Sequence, residues 1–456
     1  MIGKLIQQMA EKAPAATMFR GLLQRVLDDV SLEKIFNDYR QQQVESPILF
    51  SHLVNMLAPV ISGGSKSVNA AHQAADHDYS RQAVYDKLKG VETPVSSALL
   101  RVTTEKLVKI RHSTKTKHPD VIKGFHTFII DGKTYDATEH RLHETRTDAR
   151  APLPGRAIAL LDTRHEMFVD VVCDAHAHRC ERNIAETLLE RQLQPGALYI
   201  ADRNFSDGNV LAYFFRRKSY FIIRQHGACP SRREIAGEKR VSRSKDSSGN
   251  QTYEQRIEIQ LSDGSWQAVR RITVKLSSPT RDGDTEIHLL TNLPQRIRAG
   301  RISDAYRKRW TIENCFGHLS RALNAEIRTL CYPGAAGLCF SLALLLFNLM
   351  SLVRKLLLTH GQYSARYEIS DVSYYYLADE ISRSQFAMDE MISSSQWQVF
   401  AAMPLTEFTR FLKATAKGAS LARYRKHARA PTKPPPKRRF DGSRHVSTQK
   451  ILDARK

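Results

Sequence analysis

The chain has 456 residues, 42% apolar and 25% charged, which excludes a wholly disordered polypeptide and predicts about three domains. Lysine and arginine number 69 against 47 acidic residues, a net charge of +22, so polyanions are the expected partners, nucleic acid before an acidic membrane surface. Six scattered cysteines contain no CxxC pair, which excludes a zinc ribbon and a disulfide scaffold and predicts reduced thiols in a cytosolic protein.

The N-terminus, MIGKLIQQMAEKAP, carries Lys4, Glu11 and Lys12 where a signal peptide needs an unbroken apolar run. Residues 1–115 read as a helical, DNA-binding region. Apolar residues between Met18 and Ile35 recur at three and four, an amphipathic period. After the breaker Ile61–Ser65, two short helices are predicted, Val68–Ala75 and Ser80–Lys89, with Ser80 as N-cap and Gly90 as stop. A short turn between two helices, the second polar and basic, suggests a helix-turn-helix.

The middle changes period. Gly124–Ile130 reads as a strand ending at Asp131, followed by strands Ala157–Leu161 and Met167–Cys173 and a helix Glu181–Leu193. A strand Ala197–Ala201 ends at Asp202, then come a helix Asp207–Arg217 and a strand Tyr220–Arg224. This order predicts an α/β fold with a mixed sheet and resembles the ribonuclease H-like arrangement, with a catalytic core over 116–224 and 295–360. Residues 225–294 read as a β-rich stretch, with a hairpin about Ser262–Ser265. Within it Arg240–Asn250 (RVSRSKDSSGN) reads as a mobile loop. Ser303 is expected to cap one long helix reaching about Leu330.

Leu338–Val353 imitates a membrane span, but 16 residues containing Asn348 fall short of the ~20 a span needs, so a buried core helix is expected. Residues 361–420 form a C-terminal helical region. From Leu421 to Lys456 twelve basic residues face two acidic ones, and PTKPPPKRR (Pro431–Arg439) forms neither helix nor sheet, so a basic disordered tail that binds phosphates is expected.

Asp131 and Asp202 after strands and Glu313 in a helix are carboxylates that can converge at one sheet edge. Three such groups suit Mg²⁺, which prefers hard oxygen ligands. Asp136, Asp148, Asp170, Asp174 and Asp207 are nearby competitors, since aspartates after strands are common turn formers. CDAHAHRCERN (Cys173–Asn183) offers zinc-ligand types, yet alternation along a strand sends Cys173 and His176 to opposite faces. No glycine-rich phosphate loop is present, which argues against a nucleotide-driven enzyme.

Three blocks, FIIDGKTYDATEHRL, ALYIADRNFSD and AYRKRWTIENCFGHLSRAL, resemble the signature blocks of DDE transposases of bacterial insertion sequences. The third resembles the IS-four-type branch, whose spacing of Tyr, Arg, Glu and Lys is matched by Tyr306, Arg309 and Glu313. Ser320 stands where that branch has lysine, with Arg321 beside it. The resemblance covers about residues 60–360. It implies that Asp131, Asp202 and Glu313 are catalytic ligands of two Mg²⁺ ions, with Mn²⁺ able to substitute. It further implies that Tyr306, Arg309, Arg321 and Arg203 contact DNA phosphates. The β-rich stretch 225–294 would be that family's insertion domain, and one of its aromatic residues, Trp266 or else Tyr253, would stack on an extruded base.

The function implied is a DNA transposase of an insertion sequence, an enzyme that binds terminal inverted repeats and carries out metal-dependent endonuclease and strand-transfer steps of DNA recombination. Double-stranded DNA would be its partner, in a dimeric synaptic complex, without a membrane, in the cytoplasm at the bacterial nucleoid. The alternatives are an inactive or repurposed transposase that regulates as a DNA-binding protein, and a ribonuclease H-like resolvase or nuclease.

Overall fold

The computed structural model describes residues 2–455 apart from 45, 76–77, 116–118, 148, 228, 281–282, 363, 369 and 428–444. Asp148 and the Pro431–Arg439 segment therefore lie outside the described residues.

The N-terminal region is helical: α1 (Lys4–Lys12), α2 (Pro14–Val26), α3 (Asp29–Tyr39), α4 (Phe50–Ser62), α5 (Val68–Ala74), α6 (Arg81–Lys89) and α7 (Thr93–Thr114). The apolar period over Met18–Ile35 is shared between α2 and α3. Asp28 divides them, because its extended backbone and its side chain, which accepts from the Ser31 amide at 2.9 Å, begin a new helix. The expected helix pair is present as α5 and α6. Ser67 and Ser80 cap them by accepting from the Ala70 and Ala83 amides, and Gly90 follows α6.

A mixed sheet of ten strands, among the described residues, forms the centre. Its first half comprises β1 (Thr127–Thr134), β3 (Arg156–Asp162), β4 (Met167–Asp174), β5 (Leu198–Ala201) and β6 (Tyr220–Arg224), while the short β2 (Ala151–Leu153) lies outside it. β1 pairs antiparallel with β3 and parallel with β5. Helices α8 (Glu181–Gln192) and α9 (Gly208–Arg216) cross over between the parallel strands. The second half is β7 (Arg232–Glu234), β8 (Val241–Lys245), β9 (Gln251–Gln260), β10 (Trp266–Lys275) and β11 (Glu286–Thr291). β11 pairs with β6, giving the order β4-β3-β1-β5-β6-β11-β10-β9-β7 with β8 beside β9.

Several expectations need correction. The β-rich segment 225–294 is not a separate domain; its strands extend the central sheet through the β6–β11 ladder, which buries apolar residues of both halves together. The expected loop Arg240–Asn250 contains β8, held to β9, and a turn in which Asp246 accepts from the Ser248 and Asn250 amides. The expected long helix from Ser303 is two helices, α10 (Ala299–Arg307) and α11 (Trp310–Ala322). Ser303 lies inside α10, buried, and donates to Asp246 at 2.8 Å instead of capping.

Helix α12 (Pro333–His360) is the segment that imitates a membrane span, and its most apolar window is 94% buried. Asn348 within it donates to the Thr104 hydroxyl and the Phe168 carbonyl and accepts from the Phe168 amide, all at 2.8–2.9 Å. One buried amide thus joins α12, α7 and the edge strand β4. Helices α2, α4, α7 and α12 share one apolar core with this sheet face, so residue 115 is no packing boundary. The opposite face is covered by α8 and α9.

Helices α13 (Tyr374–Met391), α14 (Ser394–Trp397), α15 (Val399–Ala402) and α16 (Leu405–Gly418) follow. The tail expected to be disordered from 421 onward is ordered at both described ends. Leu421 and Tyr424 are buried, β12 (His445–Ser447) pairs in parallel with β2, and α17 (Thr448–Asp453) follows it.

Candidate acidic site at the sheet edge

Asp131 does not end its strand, as the sequence suggested; β1 continues to Thr134 on β3. What ends at Ile130 is the parallel ladder with β5, whose last pair is Ile130 with Ala201. Asp131 and Asp202 are therefore the next residues on two adjacent strands. Alternation along each strand places both side chains on one face, the face packed by α10, α11 and α12.

Glu313 reaches this edge from α11. The junction between α10 and α11 is tightened by three-residue hydrogen bonds, Lys308 to Ala305, Arg309 to Tyr306, Thr311 to Lys308 and Ile312 to Arg309. Such 3₁₀ winding sets residues three apart on one side, which aligns Tyr306 with Arg309. The Arg309 guanidinium then bridges two carboxylates, Nη1 at 3.4 Å from Asp131 Oδ2 and Nη2 at 2.6 Å from Glu313 Oε1.

The electrostatics are those of a crowded anionic site. Burial pushes the Asp131 carboxyl up to about 7; Arg309 opposes the rise, and the charges of Asp202 and Glu313 add to it. Asp202 is also raised by burial, opposed by the hydrogen bond from the Asn204 amide (2.8 Å), with Glu181 as a further negative neighbour. Burial works against the Arg309 charge, yet Tyr306, Asp131 and Glu313 together raise its pKa. Tyr306 is buried, and burial raises its hydroxyl while Arg309 and Arg224 pull it down.

The donor set is oxygen only, and one guanidinium is too little charge for three carboxylates. Both facts fit a hard divalent cation, with Asp131, Asp202 and Glu313 as its holders.

The other expected contacts are dispersed. Arg203 follows Asp202 and lines a cleft of about 290 Å³ with Arg156, Glu181, Arg182, Asn204 and His226. Arg321 folds back onto its own helix, Nε to the Gly317 carbonyl at 2.8 Å, and does not join the acidic group. Trp266 begins β10, three strands from Asp202, with the Arg233 guanidinium 4.3 Å above its ring. Tyr253, its alternative, is covered likewise by Arg240. The competing aspartates have other partners: Asp136 pairs with Lys133, Asp170 with Arg191, Asp174 with Arg179 and Asp207 with Arg182.

Sequence reasoning alone missed Trp310, 58% exposed and adjacent to Arg309, although the aromatic in RKRW was visible. It also missed Glu181, for which sequence held no signal beyond a helix-starting carboxylate.

A second cluster, His126, Asp162 and His165, offers three metal-ligand types within 4.8 Å of one another. It lies at the opposite end of β1, beside Thr127, away from Asp131. Arg111 donates to Nδ1 of His165, and Nε2 of that ring lies 3.7 Å from Asp162 Oδ2. The stretch Cys173–Asn183 gathers no site. Cys173 is buried toward Gly337 and Ser341, whereas His176 is exposed near Asp453.

Residues 126–349, just under half the chain, match the family model described as Transposase DDE domain. No curated protein matches the chain. Among solved structures the chain is similar to one in the cryo-EM structure of a piggyBac transposase synaptic complex with hairpin DNA, at 8% identity and a TM-score of 0.36 over 84% of each chain. The stretch similar to that family model contains Asp131, Asp202 and Glu313.

Proposed function

We propose that the protein is a DNA transposase of the IS-four-type branch that cuts and joins phosphodiester bonds at the ends of its own element. One observation carries this reading: Asp131 and Asp202 stand side by side where the β1–β5 ladder ends, and Arg309 ties Glu313 to Asp131. The strand order β4-β3-β1-β5-β6, antiparallel then parallel, supports a ribonuclease H-like core. The spacing of Tyr306, Arg309 and Glu313 supports the branch, with Ser320 departing from it.

Two Mg²⁺ ions held by Asp131, Asp202 and Glu313, or Mn²⁺ in their place, would supply Lewis-acid stabilisation of the entering and leaving oxygens of an in-line displacement. The chain's own residues then hold the DNA. Arg309 and Tyr306 face the phosphate beside the cut, Arg203 the adjoining cleft, and exposed Trp310 offers a stacking surface next to the site. Helices α5 and α6 and the basic tail bind the terminal repeats as duplex DNA. Two ends held together require a dimer in the synaptic complex, at the nucleoid of a bacterial cell.

The test is cleavage of a labelled duplex carrying the sequences that flank the gene, in Mg²⁺ and in chelator. Metal-dependent cutting at the element boundary is expected. Binding without cutting under any metal would establish a regulator instead, and cutting that prefers branched DNA a resolvase.

A further inference from the structure

Glu181 opens α8 on the face of the sheet opposite the Asp131 side chain, and an acidic residue in a first helical turn needs no further explanation by itself. Its carboxylate, however, does not turn back to its own helix. Oε2 accepts from Asn204 Nδ2 at 3.0 Å, and Oε1 is ion-paired with Nη2 of Arg156. Asn204 in turn donates its amide to Asp202 Oδ1. Arg156 lies on β3 opposite Thr134, at the end of the strand that carries Asp131, and its Nη1 donates to the Arg179 carbonyl at 2.6 Å.

Gly132 supplies the third side of this junction. A Cβ there would sit 2.5 Å from Glu181 Oε1 and 3.1 Å from Ile158, so the residue after Asp131 lacks a side chain at the point where the carboxylate packs. Glu181 thus touches the backbone that follows Asp131 and fastens the turn that follows Asp202. Its side chain is only 15% exposed.

We propose that Glu181 is a positioning residue of the acidic centre, holding the Asp202 turn against the Asp131 strand so that the two carboxylates keep the spacing a divalent cation needs. The inference rests on the assignment of Asp131, Asp202 and Glu313 as cation holders. Groups that orient metal ligands typically carry 10–100-fold in affinity, and this junction orients two at once.

The experiment is Mn²⁺ binding by the full chain, read from the electron paramagnetic resonance of free Mn²⁺, with thermal unfolding in parallel. Glu181→Ala is expected to weaken binding about tenfold in the folded protein. Glu181→Gln keeps an oxygen for Asn204 and should fall nearer the native value. Asn204→Ala leaves the Arg156 pair intact and removes only the tie to the Asp202 turn, so it should weaken binding as Glu181→Ala does. A structural role alone would lower the unfolding temperature and leave Mn²⁺ affinity unchanged in both variants; that result overturns the proposal while Asp131→Asn still loses binding. Unchanged binding in Asp131→Asn, or none in the native chain, would overturn the assignment of the trio and this proposal with it.

Discussion

Burial and the neighbouring carboxylates raise the Asp131 carboxyl to about 7, well above the ~3.9 of an unfolded aspartate. A folded-state pKa above the unfolded one contributes stability that is fully present below the unfolded value and lost as pH rises through the folded value. The metal-free protein should therefore lose thermal stability as pH rises from about 4 to about 7 and level off above that, and Mg²⁺ or Mn²⁺ should restore it. Asp131→Asn should flatten that dependence and gain about 0.5–2 kcal/mol at pH 8, the usual scale when a charge-crowded site is relieved. Scanning calorimetry across that range decides it, and a pH-independent native chain would speak against the crowding. Arg309 has the opposite sign. It is 11% exposed and bridges Asp131 and Glu313, so Arg309→Ala leaves two carboxylates facing each other and should cost about 3 kcal/mol without metal. Denaturant unfolding should show part of that loss recovered by Mg²⁺. Asp131, Asp202 and Glu313 were singled out in sequence because each sits in a block that resembles a transposase signature. The Arg309 bridge was not, since it depends on the 3₁₀ junction that turns α10 into α11.

At the scale of elements, the α5–α6 pair was legible because Ser80 and Gly90 are local signals, a cap that satisfies a free amide and a residue that stops the helix. The division of Ala299–Ala322 into two helices was not legible, because neither Pro nor Gly marks Lys308 and Arg309. Helix α12 shows how one polar residue fixes an apolar element. Asn348 satisfies both backbone groups of Phe168 at the outer strand β4, where no further strand pairs in the sheet among the described residues. Asn348→Leu keeps the volume but leaves the Phe168 amide and carbonyl buried without these partners. Each such group costs about 1–3 kcal/mol, so equilibrium urea unfolding should show a loss of at least ~2 kcal/mol. A loss under 0.5 kcal/mol would mean that α12 is placed by apolar packing alone.

Across the whole molecule, the sequence divides the chain more sharply than the fold does. The run of strands over 225–294, with the family resemblance, suggested an inserted domain, but register is a long-range property, and only the pairing of Leu289–Thr291 with Ile222–Arg224 makes one sheet of both halves. The charge pattern reads well at this scale because charge needs no fold to act. Replacing Lys437, Arg438 and Arg439 by glutamine should weaken DNA binding for every sequence alike and lower the log–log salt slope by about 2–3, near 0.9 for each lost phosphate contact. An unchanged slope would remove the tail from the DNA-binding surface. The claim on which the rest depends is that Asp131, Asp202 and Glu313 act as one cation-holding centre for strand cleavage. Single-turnover cleavage of an end-bearing duplex by Asp131→Asn, Asp202→Asn and Glu313→Gln, with DNA affinity measured on the same proteins, tests it most directly. The account predicts that all three lose cleavage by at least about a thousandfold, ~4 kcal/mol in the barrier, while each still binds DNA. Cleavage that survives in any one of them would contradict it.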